Sequence, residues 1–142
     1  MRITSITSLH SFNNYLNLLS QLSLMDNTID NNNKLKEYID NLPEHINIYV
    51  MVNDNGKIVG TITLLIEDKI IHNFGKVAHI EDLVVDKEYR RKSIGSQLIE
   101  FSINKAMELK CYKICLSCSQ ENKCFYIKNG FNQHELLMAK YF

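Results

Sequence analysis

The sequence contains little that would break a chain. Pro43 is the single proline, and five glycines are spread over 142 residues. With no Pro/Gly-rich linker, the chain reads as one domain over residues 1–142, long enough for a proper core. Net charge is lacking as well, with 16 Lys+Arg against 16 Asp+Glu. A general nucleic-acid binder needs broad phosphate neutralisation, so this balance argues against one. No apolar run approaches the length of a bilayer span. The opening MRITSITSLHSF has no long apolar core and no cleavage-like segment, so no signal peptide is expected. Cytoplasmic residence is the resulting expectation. Internal repeats are missing, and Asn31-Asn32-Asn33 is the one low-complexity patch, read as a polar loop or helix start.

Four cysteines stand at 111, 115, 118 and 124. Cys115-Leu-Ser-Cys118 has the C-x-x-C spacing of zinc and redox sites. KICLSC, however, reads as a strand, in which side chains three apart face opposite ways. The expectation is reduced, mostly buried thiols and no metal.

Arg2 to Thr7 reads as a short strand. Phe12, Tyr15, Leu16, Leu19 and Leu22 recur at helical spacing after Ser8 and Ser11, either of which could cap the helix. Leu35, Tyr38, Ile39 and Leu42 mark a second helix, over 33–41, that Pro43 stops. Residues 46–52 and 57–66 are β-rich, and Asn53-Asp54-Asn55-Gly56 between them signals a hairpin. Strands follow at 77–85 and 113–117. Between them, apolar residues at 94, 98, 99, 101, 103, 106, 107 and 109 give a helix with a wide buried face. A short helix over 121–129 ends at Gly130, which can cap it in the left-handed region. Residues 135–141 close as a strand. The order β-α-α-β-β-β-α-β-α-β predicts an α/β (α+β) fold, a mixed sheet with helices on its faces.

Between strand and helix, Arg90, Arg91 and Lys92 precede Ser93-Ile94-Gly95. A helix N-terminus carries unpaired N–H groups and about half a positive charge, and anions bind there. Cationic side chains just before it add charge and donors. The expectation is a pyrophosphate cradle, with Gly95 permitting close backbone approach and Ser93 a hydroxyl. A nucleotide-binding P-loop is ruled out, because G-x-x-x-x-G-K-[ST] is missing.

Arg90-Arg91-Lys92-Ser93-Ile94-Gly95 resembles the acetyl-CoA signature [Q/R]-x-x-G-x-[G/A] of the GCN5-related N-acetyltransferase (GNAT) superfamily. Ser93 replaces its first glycine, which fits if Ser93 has negative φ. HIEDLVVDKEYRRKSIGSQLI, CYKICLSCSQENKCFYIKNGF and the preceding KIIH are similar to the glucosamine 6-phosphate N-acetyltransferases from about residue 58 onward. The resemblance implies the GNAT fold, with a mostly antiparallel central sheet flanked by helices on both faces. It also implies acetyl-CoA as cosubstrate, an amino sugar phosphate as partner, N-acetylglucosamine 6-phosphate as product and a homodimer completed by the partner's C-terminal segment.

Residue by residue, the resemblance implies that Tyr126 serves the departing thiolate and Asn122 the pantetheine arm. Leu83, Val84 and Val85 would pair their backbone groups with pantetheine amides, as in strand addition. Arg90, Arg91, Lys92, Ser93, Ile94, Gly95 and Ser96 would hold the pyrophosphate. Glu81 and Asp82 would lie at the amino sugar, with Glu81 the principal contact. By strand alternation the two face opposite ways, and acids inside an apolar strand call for partners. Lys69, Ile70, Ile71 and His72 would help enclose the sugar phosphate, Ser23 would match a substrate-contacting threonine, and Lys140 a C-terminal basic position at the phosphate. Family members often carry an acid where this chain has Ser117. A hydroxyl is no useful base at neutral pH, and losing a general base costs on the order of 10²–10⁴-fold in rate. Ser117 therefore motivates two alternatives: an N-acetyltransferase for another amine, or an acetyl-CoA-binding module without catalysis. Transfer in this superfamily is direct, so no cysteine is expected to carry the acetyl group.

Overall fold

In a computed structural model, the structure describes residues 1–7, 10–24 and 31–142. Ser8, one of the two predicted caps, lies outside them. Ser11 is the observed N-cap of α1 (Phe12–Leu19), its hydroxyl accepting from Asn14 N–H at 3.5 Å. The helix turns on through Ser23, whose N–H reaches Leu19 O at 3.2 Å. After β1 (Arg2–Ser5) and α1 come α2 (Asn31–Asp40), β2 (Ile46–Val52) and β3 (Ile58–Asp68). The predicted hairpin joins β2 to β3, with Gly56 at φ 79° and Asn53 Oδ1 accepting from the N–H groups of Asn55 and Lys57.

A single turn, α3 (Ile71–Phe74), then leads into β4 (Lys76–Val85). Its His72, Asn73 and Phe74 all have positive φ. Next come α4 (Ile94–Glu108), β5 (Cys111–Leu116) and α5 (Lys123–Lys128). The five strands lie in the order β1-β2-β3-β4-β5, antiparallel through β4 and parallel between β4 and β5. The pattern predicts a mixed sheet, and the resemblance implies its mostly antiparallel character.

Side chains alternate between two cores. On one face Met51, Val59, Ile62, Leu64, Ala78 and Ile80 pack against Ile94, Leu98 and Ile99 of α4, with Phe125 and Tyr126 of α5 alongside. On the other, Ile48, Val50, Val52, Ile58 and Val84 meet Tyr15 and Leu18 of α1 and Ile39 of α2. Gly60 sets the approach of α4. A Cβ there would stand 3.0 Å from Ile94 Cγ2 and 3.1 Å from Leu98 Cδ1.

Gly130 is left-handed (φ 88°), as predicted, and closes α5 in a Schellman motif: Phe131 N–H reaches Tyr126 O and Gly130 N–H reaches Ile127 O. The predicted strand over 135–141 does not form. Those residues have no regular structure, and Leu136, Leu137, Met138, Tyr141 and Phe142 are all at least 74% exposed. A strand needs a neighbour to satisfy its backbone groups, and no strand among the described residues pairs with this segment.

Candidate functional site: a split sheet edge beside a cationic turn

β4 and β5 share only part of their length. Pairing runs from Lys76↔Cys111 to Ile80↔Leu116, whereas β4 stays paired to β3 as far as Val85. From Glu81 to Val85 the β5-side edge of β4 is therefore covered by no strand among the described residues, and at its end Val85 O accepts from the Arg90 side chain. The parting coincides with a β-bulge. The β3 register steps between Thr61 and Thr63, and Asp82 takes φ 49°. A bulge adds a residue and resets the alternation. Ala78 and Ile80 face the α4 core before it, and Leu83 and Val85 pack there after it. This corrects the simple alternation: Glu81 and Asp82 are both exposed, and neither needs a buried partner.

The cationic turn lies at the far end of that edge. Arg91 (φ 63°) and Ser93 (φ 58°) are left-handed and interrupt an otherwise right-handed path. Left-handed residues interleaved in this way form concavities of N–H groups that accept anions. The negative φ expected for Ser93 is thus wrong: the serine occupies a conformation that favours glycine. Ser93 is also the N-cap of α4, and its side chain makes no capping bond, so the first-turn N–H groups stay open. Arg90, Arg91, Lys92 and Ser93 are exposed, while Ile94 is core. Gly95 answers to packing besides ligand approach, since a Cβ there would meet Phe125 Cζ at 3.0 Å.

A network that sequence reasoning missed anchors the turn. Asp86, 6% exposed, accepts from Glu88 N–H at 3.0 Å and pairs with Lys57 Nζ at 2.8 Å. Burial raises its carboxyl, but Lys57, the Glu88 amide and Gln21 outweigh that and hold it below the ordinary carboxylate value. Tyr89 takes a hydrogen bond from Asn53 Nδ2 at 3.1 Å, with the ammonium groups of Lys57 and Lys92 over its ring at 5.2 and 4.7 Å. Arg90 Nε donates to Val85 O at 3.2 Å, tying the turn to the end of β4.

Tyr126, on α5, packs against the α4 core and lies edge-on to Phe125 (5.1 Å between centroids). Burial, reinforced by Cys118, pushes its hydroxyl above the ordinary tyrosine value, so it stays protonated at neutral pH. Ser117 is exposed just past the end of β5, and Asn122 is exposed at the head of α5. All three lie on the stretch of chain that follows β5. Ile70 and Ile71 sit farther back, exposed in the turn before β4, where His72 stacks on Tyr112 at 4.1 Å. Lys69 is ion-paired with Glu67. Ser23 is exposed beyond α1. Lys140 lies on the exposed C-terminal segment, its ammonium 5.6 Å from the ring centre of Phe142.

The thiols also differ from expectation. Cys118 and Cys124 are exposed and Cys111 and Cys115 half-buried, all four free. β5 stops at Leu116, so Cys118 lies outside the strand that was to fix its direction. Among the described residues no group of three His, Cys, Asp or Glu side chains could hold a metal ion, and no helix is long and apolar enough to cross a membrane. Sequence reasoning also left His79 and Glu67 without roles. His79 Nε2 and Glu67 Oε2 are 2.9 Å apart. Their signal was visible only as the first letter of HIED.

A sheet that parts beside a left-handed cationic turn, with a protonated tyrosine on the following helix, is an arrangement suited to acyl transfer from a phosphate-bearing thioester. The description "Acetyltransferase (GNAT) family" matches residues 16–131, and the chain belongs to that family. More particularly, it is 35% identical over 133 residues to the glucosamine 6-phosphate N-acetyltransferase of Arabidopsis thaliana, covering 90% of this chain and 87% of that protein. It is 38% identical over 120 residues to the Candida albicans enzyme of the same name, covering 84% and 80%. The crystal structure of the Arabidopsis enzyme superposes with a TM-score of 0.89 at 34% identity, over 99% of this chain and 97% of that one.

Proposed function

We propose that this protein moves the acetyl group of acetyl-CoA directly to the amine of glucosamine 6-phosphate, in the cytoplasm, giving N-acetylglucosamine 6-phosphate. The observation that carries the reading is the edge from Glu81 to Val85 that no described strand covers, running from an exposed carboxylate to the cationic turn. Leu83, Val84 and Val85 would offer backbone groups to the pantetheine amides, with Asn122 close to the same arm. The pyrophosphate would sit against the N–H groups of residues 93–96, with Arg90, Arg91 and Lys92 adding charge. The thioester then lies where β4 and β5 part.

There the amine, held at Glu81 and Asp82 beside Ser117, attacks the carbonyl carbon. The C–S bond breaks, Tyr126 gives its proton to the leaving thiolate, and the N–H proton shed by the nitrogen as the amide forms restores the tyrosine. Main-chain donors on the strand edge stabilise the developing oxyanion, commonly the largest single contribution in acyl transfer. Lys69, Ile70, Ile71, His72, Ser23 and Lys140 would enclose the sugar phosphate. The C-terminal segment supports a homodimer: its apolar side chains are exposed, no strand among the described residues pairs with it, and a second copy would supply one. The names of the Arabidopsis and Candida relatives support the acceptor.

A thiol-release assay with acetyl-CoA and a panel of amines tests this. Saturable turnover with glucosamine 6-phosphate and little with glucosamine is expected. Equal turnover of the two would sink the phosphate requirement. Ser117, exposed where the relatives' acid was expected, favours a second reading on the same scaffold: polyamines or peptides outrunning the sugar phosphate in that panel would establish it.

A further inference from the structure

A serine at position 117 leaves the acceptor site without the acid that would take the proton from an incoming ammonium. The face of the sheet opposite α4 holds another candidate. Ala78 and Ile80 point into the α4 core, so His79 and Glu81 both project from the other face, ahead of the bulge. In the parallel register His79 is opposite Cys115.

Glu67 is held below its ordinary value by hydrogen bonds from Lys69 and then from His79, so it is ionised and can only accept. The proton between Glu67 Oε2 and His79 Nε2 therefore belongs to the imidazole. That fixes the tautomer and leaves the Nδ1 lone pair free to accept. Cys115 Sγ, 3.4 Å from Nδ1, is its present donor. The thiol has a second acceptor in Ala78 O at 3.7 Å, so it can release Nδ1. Burial raises the Cys115 thiol, which keeps it a proton donor and no nucleophile.

We infer that His79, oriented by Glu67, is the proton acceptor for the amine in this enzyme. This rests on the amine being held at Glu81, as proposed above. Two residues along one strand are about 7 Å apart, a gap that two waters in a row can relay across. The balance is simple: an N–H bond of the ammonium breaks, its proton passes along the two waters to Nδ1, and the neutral amine keeps the electron pair for attack. The imidazolium is stabilised by the Glu67 carboxylate and later returns its proton to solvent. Glu67 from β3 and Lys69 just beyond it, Glu81 from β4, and Lys113 and Cys115 from β5 are the charged and titratable groups that surround this position. Glu67 is a positioning residue in this scheme.

The test is the pH dependence of kcat with acetyl-CoA and glucosamine 6-phosphate in the full chain. Wild type should lose activity on the acid side, because a proton acceptor works only in its unprotonated form. His79→Gln should lower kcat by roughly 10²–10⁴-fold, leave the KM for acetyl-CoA unchanged and abolish the acid limb. Glu67→Gln removes the negative charge that favours the imidazolium, so its limb should move to lower pH. Coenzyme A binding by calorimetry confirms that each variant is folded. An unchanged kcat and profile in His79→Gln overturns the inference. Should that variant not fold, an unmoved limb in Glu67→Gln overturns it instead. Wild type idle on glucosamine 6-phosphate but active on another amine sinks the acceptor reading alone, and the same profiles are then run on that amine. No turnover on any amine overturns both.

Discussion

Ser93 concentrates the conflict between local preference and site geometry. Its φ of 58° places a side-chain-bearing residue where the backbone crowds its Cβ, at a cost of about 1–2 kcal/mol. No capping bond offsets this. Ser93→Gly should therefore raise unfolding stability by about 1 kcal/mol, read from the shift in urea midpoint at unchanged slope. A midpoint that stays put would show that the turn is not strained. Tyr126 makes the complementary case on the chemical side. Tyr126→Phe keeps the packing against Phe125 and Phe131 but removes the acid that would meet the thiolate. A fall in kcat of roughly 10²-fold or more with little change in coenzyme A affinity is expected, from steady-state kinetics beside calorimetry. Equal kcat in the two forms would take Tyr126 out of the reaction.

Among the elements, α4 and the turn before it depend on close contacts with the hairpin and β3. Gly60→Val would push branched carbons into Ile94 and Leu98 and should cost about 1–3 kcal/mol, measured by denaturant unfolding. Little loss would mean that α4 can draw back freely. Asp86 anchors the other side. Its folded carboxyl lies below the ordinary value, so its contribution is present above the unfolded carboxylate pKa and is lost as pH falls through the folded one. Asp86→Asn should destabilise the protein by about 1–3 kcal/mol at neutral pH and by progressively less in acid. An equal deficit at all pH values would show that charge plays no part. Because Asp86 and Arg90 fix the turn from both sides, the same substitution should weaken coenzyme A binding.

At the scale of the molecule, the exposed segment after Phe131 is the feature that one chain leaves incomplete. Five large apolar side chains in its last seven residues face solvent. Sedimentation should show a dimer for the full chain and a monomer for a chain ending at His134. A monomeric full chain at micromolar concentration would remove the homodimer from the account.

Periodicity alone marks α1, α2, α4 and the β2–β3 hairpin, because an amphipathic stripe or an Asn-Gly turn is a local property of neighbouring residues. The motif Arg90–Gly95 likewise reports a cationic turn at a helix start, since the charges and the helix start are adjacent in sequence. Other features depend on residues far apart. The bulge that brings Glu81 and Asp82 out together is set by the register of β4 against β3. The Asp86–Lys57 pair joins a strand end to a hairpin, and the His79–Glu67–Cys115 cluster needs three strands side by side. The sign of φ at Ser93 follows from how the turn must meet α4, and the fate of residues 135–141 from whether any chain lies beside them. The sequence by itself settled which segments are helices and strands and which turn carries charge, because those preferences act over a few bonds. Only the tertiary structure decided which side chains share a face and which backbone edge stays open, because pairing distant strands sets their register.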